Sequence, residues 1–344
     1  MLRSWVFRRL SLAWLLLVAC QASTFGQLAT SGGHALQIGP VVMTVSDMNR
    51  SVDFYTTVLT FEKVNQIDRS GPEFDRLYGV LNTHVRVVDL KLGDESIELL
   101  QFVGAAGAPV SADARSNDLS FQHVAIIVSD MDRAYSVLRQ NRVQHISPYP
   151  QTLPDWNPNA AGIKAFYFRD PDGHPLEILQ YPPSKGDPKW QMTSGRLFLG
   201  IDHTAIAISS TEASKAFYGM LLGMRVAGES DNYGFEQEHL NNVFGAHLRI
   251  TALRSPSGIG VEFLEYLAPR DGRSVPANAS PTDIAHHETV VMVDDLGALH
   301  EALQAANISA GSVKQITDSR LLLNASQAEL IRDPDGHFLL LLQR

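Results

Sequence analysis

A single cysteine, Cys20, stands among 344 residues, so no internal disulfide can hold the chain and its core has to come from apolar burial. Beyond the N-terminus no apolar run is long enough to span a bilayer. Positive charge is the scarcer sign. The 28 lysines and arginines face 37 aspartates and glutamates, and the net charge of −9 argues against a nucleic-acid partner. Low-complexity tracts are also lacking. What is present is a globular composition, 44% apolar and 19% charged, long enough for two domains with cores of their own.

The first residues depart from this pattern. In MLRSWVFRRLSLAWLLLVACQ, Arg3, Arg8 and Arg9 precede an apolar run over residues 10–19, the order of an export signal. The run ends in LVAC, which resembles the lipobox of bacterial lipoproteins, where the cysteine is lipidated and becomes the mature N-terminus. That resemblance makes residues 1–20 an export signal and Cys20 a lipidation site. It implies an exported protein, periplasmic or on the outer membrane, with a membrane tether through Cys20. Ordinary cleavage near ASTFGQ is the alternative.

Four apolar, β-branched runs recur: PVVMTVSD (40–47), HVAIIVSD (123–130), HTAIAISS (203–210) and ETVVMVDD (288–295). Each predicts a strand ending in a polar turn. A helical pattern follows each. Val52, Tyr55 and Leu59 share a face, as do Met131, Tyr135 and Leu138, and Ala213, Phe217 and Met220; the fourth helix is LGALHEALQAAN. Further strands come next, the last two forming a hairpin across Gly-Asp, Asp-Gly, Ser-Gly and Asp-Gly turns. The unit is β-α-β-β-β, four times over. Modules one and three share FY in the helix and His-x-Arg in a strand (His84/Arg86 and His247/Arg249), whereas modules two and four share RDPDGH. The chain therefore predicts a duplicated pair: a first domain over 38–181, a linker over 182–196 and a second domain over 197–344.

The FY…LG helix, the strand ending VSDM and the DPDGH…E hairpin resemble the vicinal oxygen chelate superfamily of glyoxalases, bleomycin-resistance proteins and extradiol dioxygenases. The resemblance implies an α+β fold with four βαβββ modules paired into two cup-shaped domains. It also implies one divalent metal ion held by side chains near the start of the first strand and on the last strand of each module. Those positions are Pro40, His123, His203 and Glu288 on the first strands, and Glu98, Glu177, Glu262 and Leu340 on the last. With modules paired in chain order, one cup offers Glu98, His123 and Glu177 and the other His203, Glu262 and Glu288, three of four each. The slightly favoured site is the first cup.

A carboxylate directed into an apolar cup needs a partner, which a divalent cation supplies. An oxygen-rich set with imidazole suits Zn, Ni, Mn, Co or Fe. The expected activity is a lyase or isomerase step by proton transfer on a small vicinal-oxygen substrate, with Glu98 or Glu262 as base. His84, Arg86, His247 and Arg249 are candidates for holding an anionic substrate. A ring-cleaving dioxygenase is a second reading, requiring His286 to replace Glu288 so that two histidines meet. A non-catalytic ligand-binding protein of the bleomycin-resistance type is a third. The DPDGH turns, with His174 and His337, read as hairpin architecture, and TLPDWNPNAAG (152–162) as a lid or capping loop.

Overall fold

The computed structural model describes residues 33–344 apart from 106, 193–194, 309–310 and 317–322. Cys20 and the stretch expected to be an export signal lie outside the described residues. Module one runs β1 (Ala35–Thr44), α1 (Met48–Thr57), β2 (Glu62–Ser70), α2 (Pro72–Tyr78), β3 (His84–Leu92) and β4 (Glu95–Phe102). Module two runs β5 (Gln122–Val128), α3 (Met131–Gln140), β6 (Gln144–His145), β7 (Gln151–Thr152), β8 (Lys164–Arg169) and β9 (Pro175–Gln180). Module three runs β10 (Phe198–Ile208), α4 (Thr211–Ser214, continued as a π-helix over Lys215–Leu221), β11 (Arg225–Tyr233), α5 (Phe235–Asn241), β12 (His247–Arg254), β13 (Ser257–Gly258) and β14 (Gly260–Ala268). Module four runs β15 (His287–Val293), α6 (Leu296–Ala305), β16 (Lys314–Gln315), β17 (Gln327–Arg332) and β18 (Phe338–Gln343).

The polar turn after each first strand is a helix cap. The side chains of Asp47, Asp130, Ser210 and Asp295 accept from the backbone N–H three residues on, satisfying one orphan donor of each helix start. Modules one and three carry an extra short helix that the repeat pattern does not contain. In α2, Pro72 opens the helix and Gly79 closes it at φ 67°, a left-handed position that suits glycine.

Strand pairing departs from the expected domains. β1 pairs in parallel with β4 and antiparallel with β15, while β10 pairs in parallel with β14 and antiparallel with β5. One nine-stranded sheet is therefore built from modules one and four, with the two-residue β13 of module three added to β1, and the other from modules two and three. Each cup takes one module from each half of the chain. Pairing in chain order is corrected here, because every module offers the same kind of first-strand edge and the local pattern is identical for either partner.

What joins the halves internally is the repeated hairpin. Asp170 accepts from the backbone N–H groups of Asp172 and His174, from His174 Nδ1, and from the Tyr55 hydroxyl of module one. Asp333 repeats this with Asp335, His337 and the Tyr218 hydroxyl of module three. The FY helix and the DPDGH turn thus lock together within each half, and the DPDGH turns act as hairpin architecture, as their sequence suggests. Behind the cups, one continuous apolar core joins both sheets and the helices. It includes Val41, Ile97, Val124, Ile178, Ile206, Phe263, Val291 and Leu341.

Candidate metal centre

Strand register decides which side chains meet. In the sheet of modules two and three, Ala205 lies opposite both Glu262 and His123, and Ala125 lies opposite Glu177. In the other sheet, Val42 lies opposite both Glu98 and Glu288, and Val290 lies opposite Leu340. The eight positions chosen from the sequence are thus equivalent by register, but they sort differently from the expectation. One cup gathers His123, Glu177, His203 and Glu262. The other gathers Pro40, Glu98, Glu288 and Leu340, so both non-ligating residues fall together. Three ligands in each cup becomes four in one and two in the other.

Within the four-residue cup, ligand atoms of His123, Glu177 and His203 all lie within 4.8 Å of one another, and all three residues are buried. Glu177 Oε2 stands 3.1 Å from His123 Nε2 and 3.8 Å from His203 Nε2, and Glu262 Oε1 is 3.6 Å from His203 Nε2. Neither ring nitrogen of His123 nor Nε2 of His203 has a hydrogen-bond partner among the described residues. Orphaned buried nitrogens beside carboxylates are costly unless something bridges them. Nitrogen and oxygen donors at this spacing fit a divalent cation.

The electrostatics agree. Burial alone would push the His203 imidazole down, but Glu262, Asp202 and Glu177 together outweigh it and raise it to about 9. Burial lifts Glu262 above the usual carboxylate range; His203 offsets part of this and Glu177 adds to it. Glu262 is 21% exposed, against 5% for Glu177. Of the two acids, it is the one that reaches the adjoining cavity with room to move. That cavity, of about 420 Å³, is lined by Tyr167, Glu177, His203, Asn232 and Glu262 among others. Tyr167 lies opposite Glu177 across the hairpin and packs its ring 4.8 Å from that of His123. Burial, and then the charges of Glu177 and Glu262, hold its phenol well above the ordinary value, so it keeps its proton. Neither Tyr167 nor Asp202, whose carboxylate accepts from His203 Nδ1 at 2.9 Å, belongs to the sequence-derived set. Asp202 was legible only as a neighbour of His203, and Tyr167 as one aromatic in an apolar strand.

The second cup is filled rather than open. Leu340, Val42, Tyr78 and Phe102 belong to one apolar cluster there. Glu288 accepts from the Tyr78 hydroxyl at 2.8 Å and pairs with His286 at 3.2 Å. Buried Arg69 stands 3.8 Å from Glu98, at the strand position that Asn232 holds in the other cup. A guanidinium thus sits beside the acid where the first cup keeps open space. His286 is correspondingly remote from His203 and Glu262, which removes the His203/His286/Glu262 set.

The His-x-Arg pairs lie on the far face of each sheet. His84 and Arg86 alternate with Val85 and Val87, which face the cup, and both approach Asp68. His247 and Arg249 alternate with Leu248 and Ile250 and pair with Asp231 and Glu265. A role for these four in holding substrate inside a cup is corrected by strand alternation.

A family model of the Glyoxalase/Bleomycin resistance protein/Dioxygenase superfamily matches residues 37–178 and again 200–341. A 2-epi-5-epi-valiolone epimerase from an Actinomyces species is 32% identical over 168 residues, 48% of this chain and 88% of that protein. Glyoxalase I from Zea mays has a similar fold at 15% identity: TM-score 0.57 over 90% of this chain and 92% of that one. A point variant of it gives 0.60 over 94% and 96%.

Proposed function

The chain belongs to the glyoxalase, bleomycin-resistance and dioxygenase superfamily, and within it we propose a metal-dependent isomerase or lyase whose reaction is proton transfer next to a carbonyl, run in the cup of modules two and three. The observation that carries this reading is the cluster of His123, Glu177 and His203 with its three orphaned nitrogens, Glu262 standing at the cavity edge. Similarity to an epimerase supports isomerase-type activity. His123, Glu177, His203 and Glu262 would hold the ion. A divalent ion bound there supplies Lewis-acid polarisation of neighbouring substrate oxygens, which acidifies the adjacent C–H.

The chain's own residues supply the rest. Glu262, with its raised pKa and its access to the cavity, accepts the proton at a carboxylate oxygen and returns it. Its partner acid Glu177 is too enclosed to swing. Tyr167 keeps its hydroxyl proton and donates a hydrogen bond to the substrate oxygen on which charge develops. Apolar walls such as Leu153, Ile163 and Leu240 limit water at the reacting carbon. Glu98, the other candidate base, is excluded from this chemistry by its place in the filled cup.

A second reading has an observation of its own. Two imidazoles and one carboxylate in one cluster are also the donor set of non-haem iron oxygenases. Metal content measured by mass spectrometry separates these readings. Glu177→Ala is expected to lose about one equivalent of metal while Glu98→Ala keeps it. Retention by Glu177→Ala, or loss with Glu98→Ala, would place the centre elsewhere. Selective iron loading with oxygen consumption would favour the dioxygenase, and no divalent metal after reconstitution would leave a ligand carrier.

A further inference from the structure

We propose that Asp202 is a positioning residue for this centre, fixing the tautomer and orientation of His203 and thereby setting how tightly the cup holds a divalent ion. The inference rests on the metal-centre reading above. Consecutive side chains on a regular strand point to opposite faces, so Asp202 should turn away from its neighbour. The β10–β5 register, however, is irregular between Ile201 and His203, and Asp202 Oδ2 accepts from His203 Nδ1 at 2.9 Å. A carboxylate takes only a donated hydrogen, so Nδ1 carries a proton and Nε2 is the nitrogen turned to the cup, the one that would give its lone pair to an ion. That Nε2 is the atom lying 3.6–3.8 Å from Glu262 and Glu177.

Asp202 is itself held from several directions. Arg254 Nη2 donates to both carboxylate oxygens at 2.9 and 2.8 Å, and Arg254 Nη1 donates to the Asp202 carbonyl at 2.8 Å. Trp190 Nε1 and the Tyr181 hydroxyl each donate at 3.2 Å. A buried carboxylate with this many donors has one orientation available, and it passes that constraint to the imidazole. Trp190 belongs to the linker between the halves. Lys189 beside it pairs with Glu95, which also accepts from the Ile201 N–H, so the irregular stretch of β10 is pinned on the far side. The filled cup offers an internal comparison. There the register positions of Asp202 and His203 are Gly39 and Pro40, so the orienting acid and the ligand are missing together.

The test compares apo protein and Zn²⁺ affinity, by competition with a chromogenic chelator, for wild type, Asp202→Asn, Trp190→Phe and Asp170→Asn. Loss of an orienting partner of a ligating histidine typically weakens metal binding by about 10–100-fold. Asp202→Asn is expected to fall in that range while its apo form stays folded. Trp190→Phe, which removes one donor to Asp202 and no charge, should lose a few-fold. Asp170→Asn breaks a buried Asp–His pair remote from the cup; it should lower apo stability and leave Zn²⁺ affinity unchanged. If Asp202→Asn and Trp190→Phe bind Zn²⁺ as wild type does, Asp202 is merely structural and the proposal fails while the metal centre stands. Should Asp202→Asn fail to fold, Trp190→Phe alone decides by the same criterion. A wild type that binds no Zn²⁺, Mn²⁺, Co²⁺ or Ni²⁺ overturns both, since His203 would then have nothing to be positioned for.

Discussion

Glu98 and Glu262 occupy matching register positions, and their surroundings give them different roles. Glu262 opens onto the cavity beside two imidazoles. Glu98 is enclosed; burial, with smaller pushes from Asp89 and Glu288, raises its carboxyl to about 8 against the partial pull of Arg69. In the unfolded chain it returns to the ordinary 4.5. A raised acid is one whose protonated form the fold favours, so its stabilising contribution is complete below pH 4.5 and is lost as pH rises through about 8. Glu98→Gln stays neutral throughout. Its denaturant midpoint is expected to exceed that of wild type at about pH 9 and to converge with it toward about pH 5. Parallel curves across that window would show that Glu98 is ionised in the fold.

Among the elements, the loop between β7 and β8 is the least conventional. It reaches from module two across the cup to β11 of module three. Asn157 Nδ2 donates to Asn232 Oδ1 at 2.8 Å and to the Asp231 carbonyl at 3.2 Å, and Asn159 Nδ2 donates to the Glu229 carbonyl at 2.7 Å. Trp156 lies over Tyr233 with ring centroids 4.3 Å apart, and Lys185 of the linker donates to the Pro158 and Asn159 carbonyls. The loop is latched as a wall of the cavity. Asn157→Ala leaves the buried Asn232 oxygen without its donor and is expected to cost about 1–3 kcal/mol, read as a lowered unfolding midpoint. A change below about 0.5 kcal/mol would mean that the latch is open in solution.

At the scale of the whole molecule, the candidate metal centre belongs to neither half. His123 and Glu177 precede the linker, and His203 and Glu262 follow it. The halves also clasp through their connecting loops. Arg273 pairs with Asp113 and Asp118, and Arg115 pairs with Asp271. Residues 33–186 and 187–344 expressed separately should each fall short of the intact chain's Zn²⁺ affinity. Co-expressed, they should co-purify and recover about one high-affinity site, as measured by chelator competition. A single half that binds Zn²⁺ as tightly as the intact protein would sink the cross-half assembly.

The sequence by itself determined the modules, because strand and helix periodicity, N-caps and Asp-Gly turns are local effects that each stretch carries within itself. It also held the eight cup-facing positions that the family resemblance implies, because counting from the turns locates each of them within its own module. Which modules share a sheet is a different kind of fact. The edges of β1, β5, β10 and β15 are chemically alike, so nothing local prefers β5 over β15 as the partner of β1. Only the packed chain, with the two connecting loops clasped, brings β10 against β5. That choice turns two apparently equal three-ligand cups into one cup with four candidate ligands and one filled by apolar side chains. It also brings Asp202 and Tyr167 to the site, since their roles depend on contacts made across the sheet and the linker.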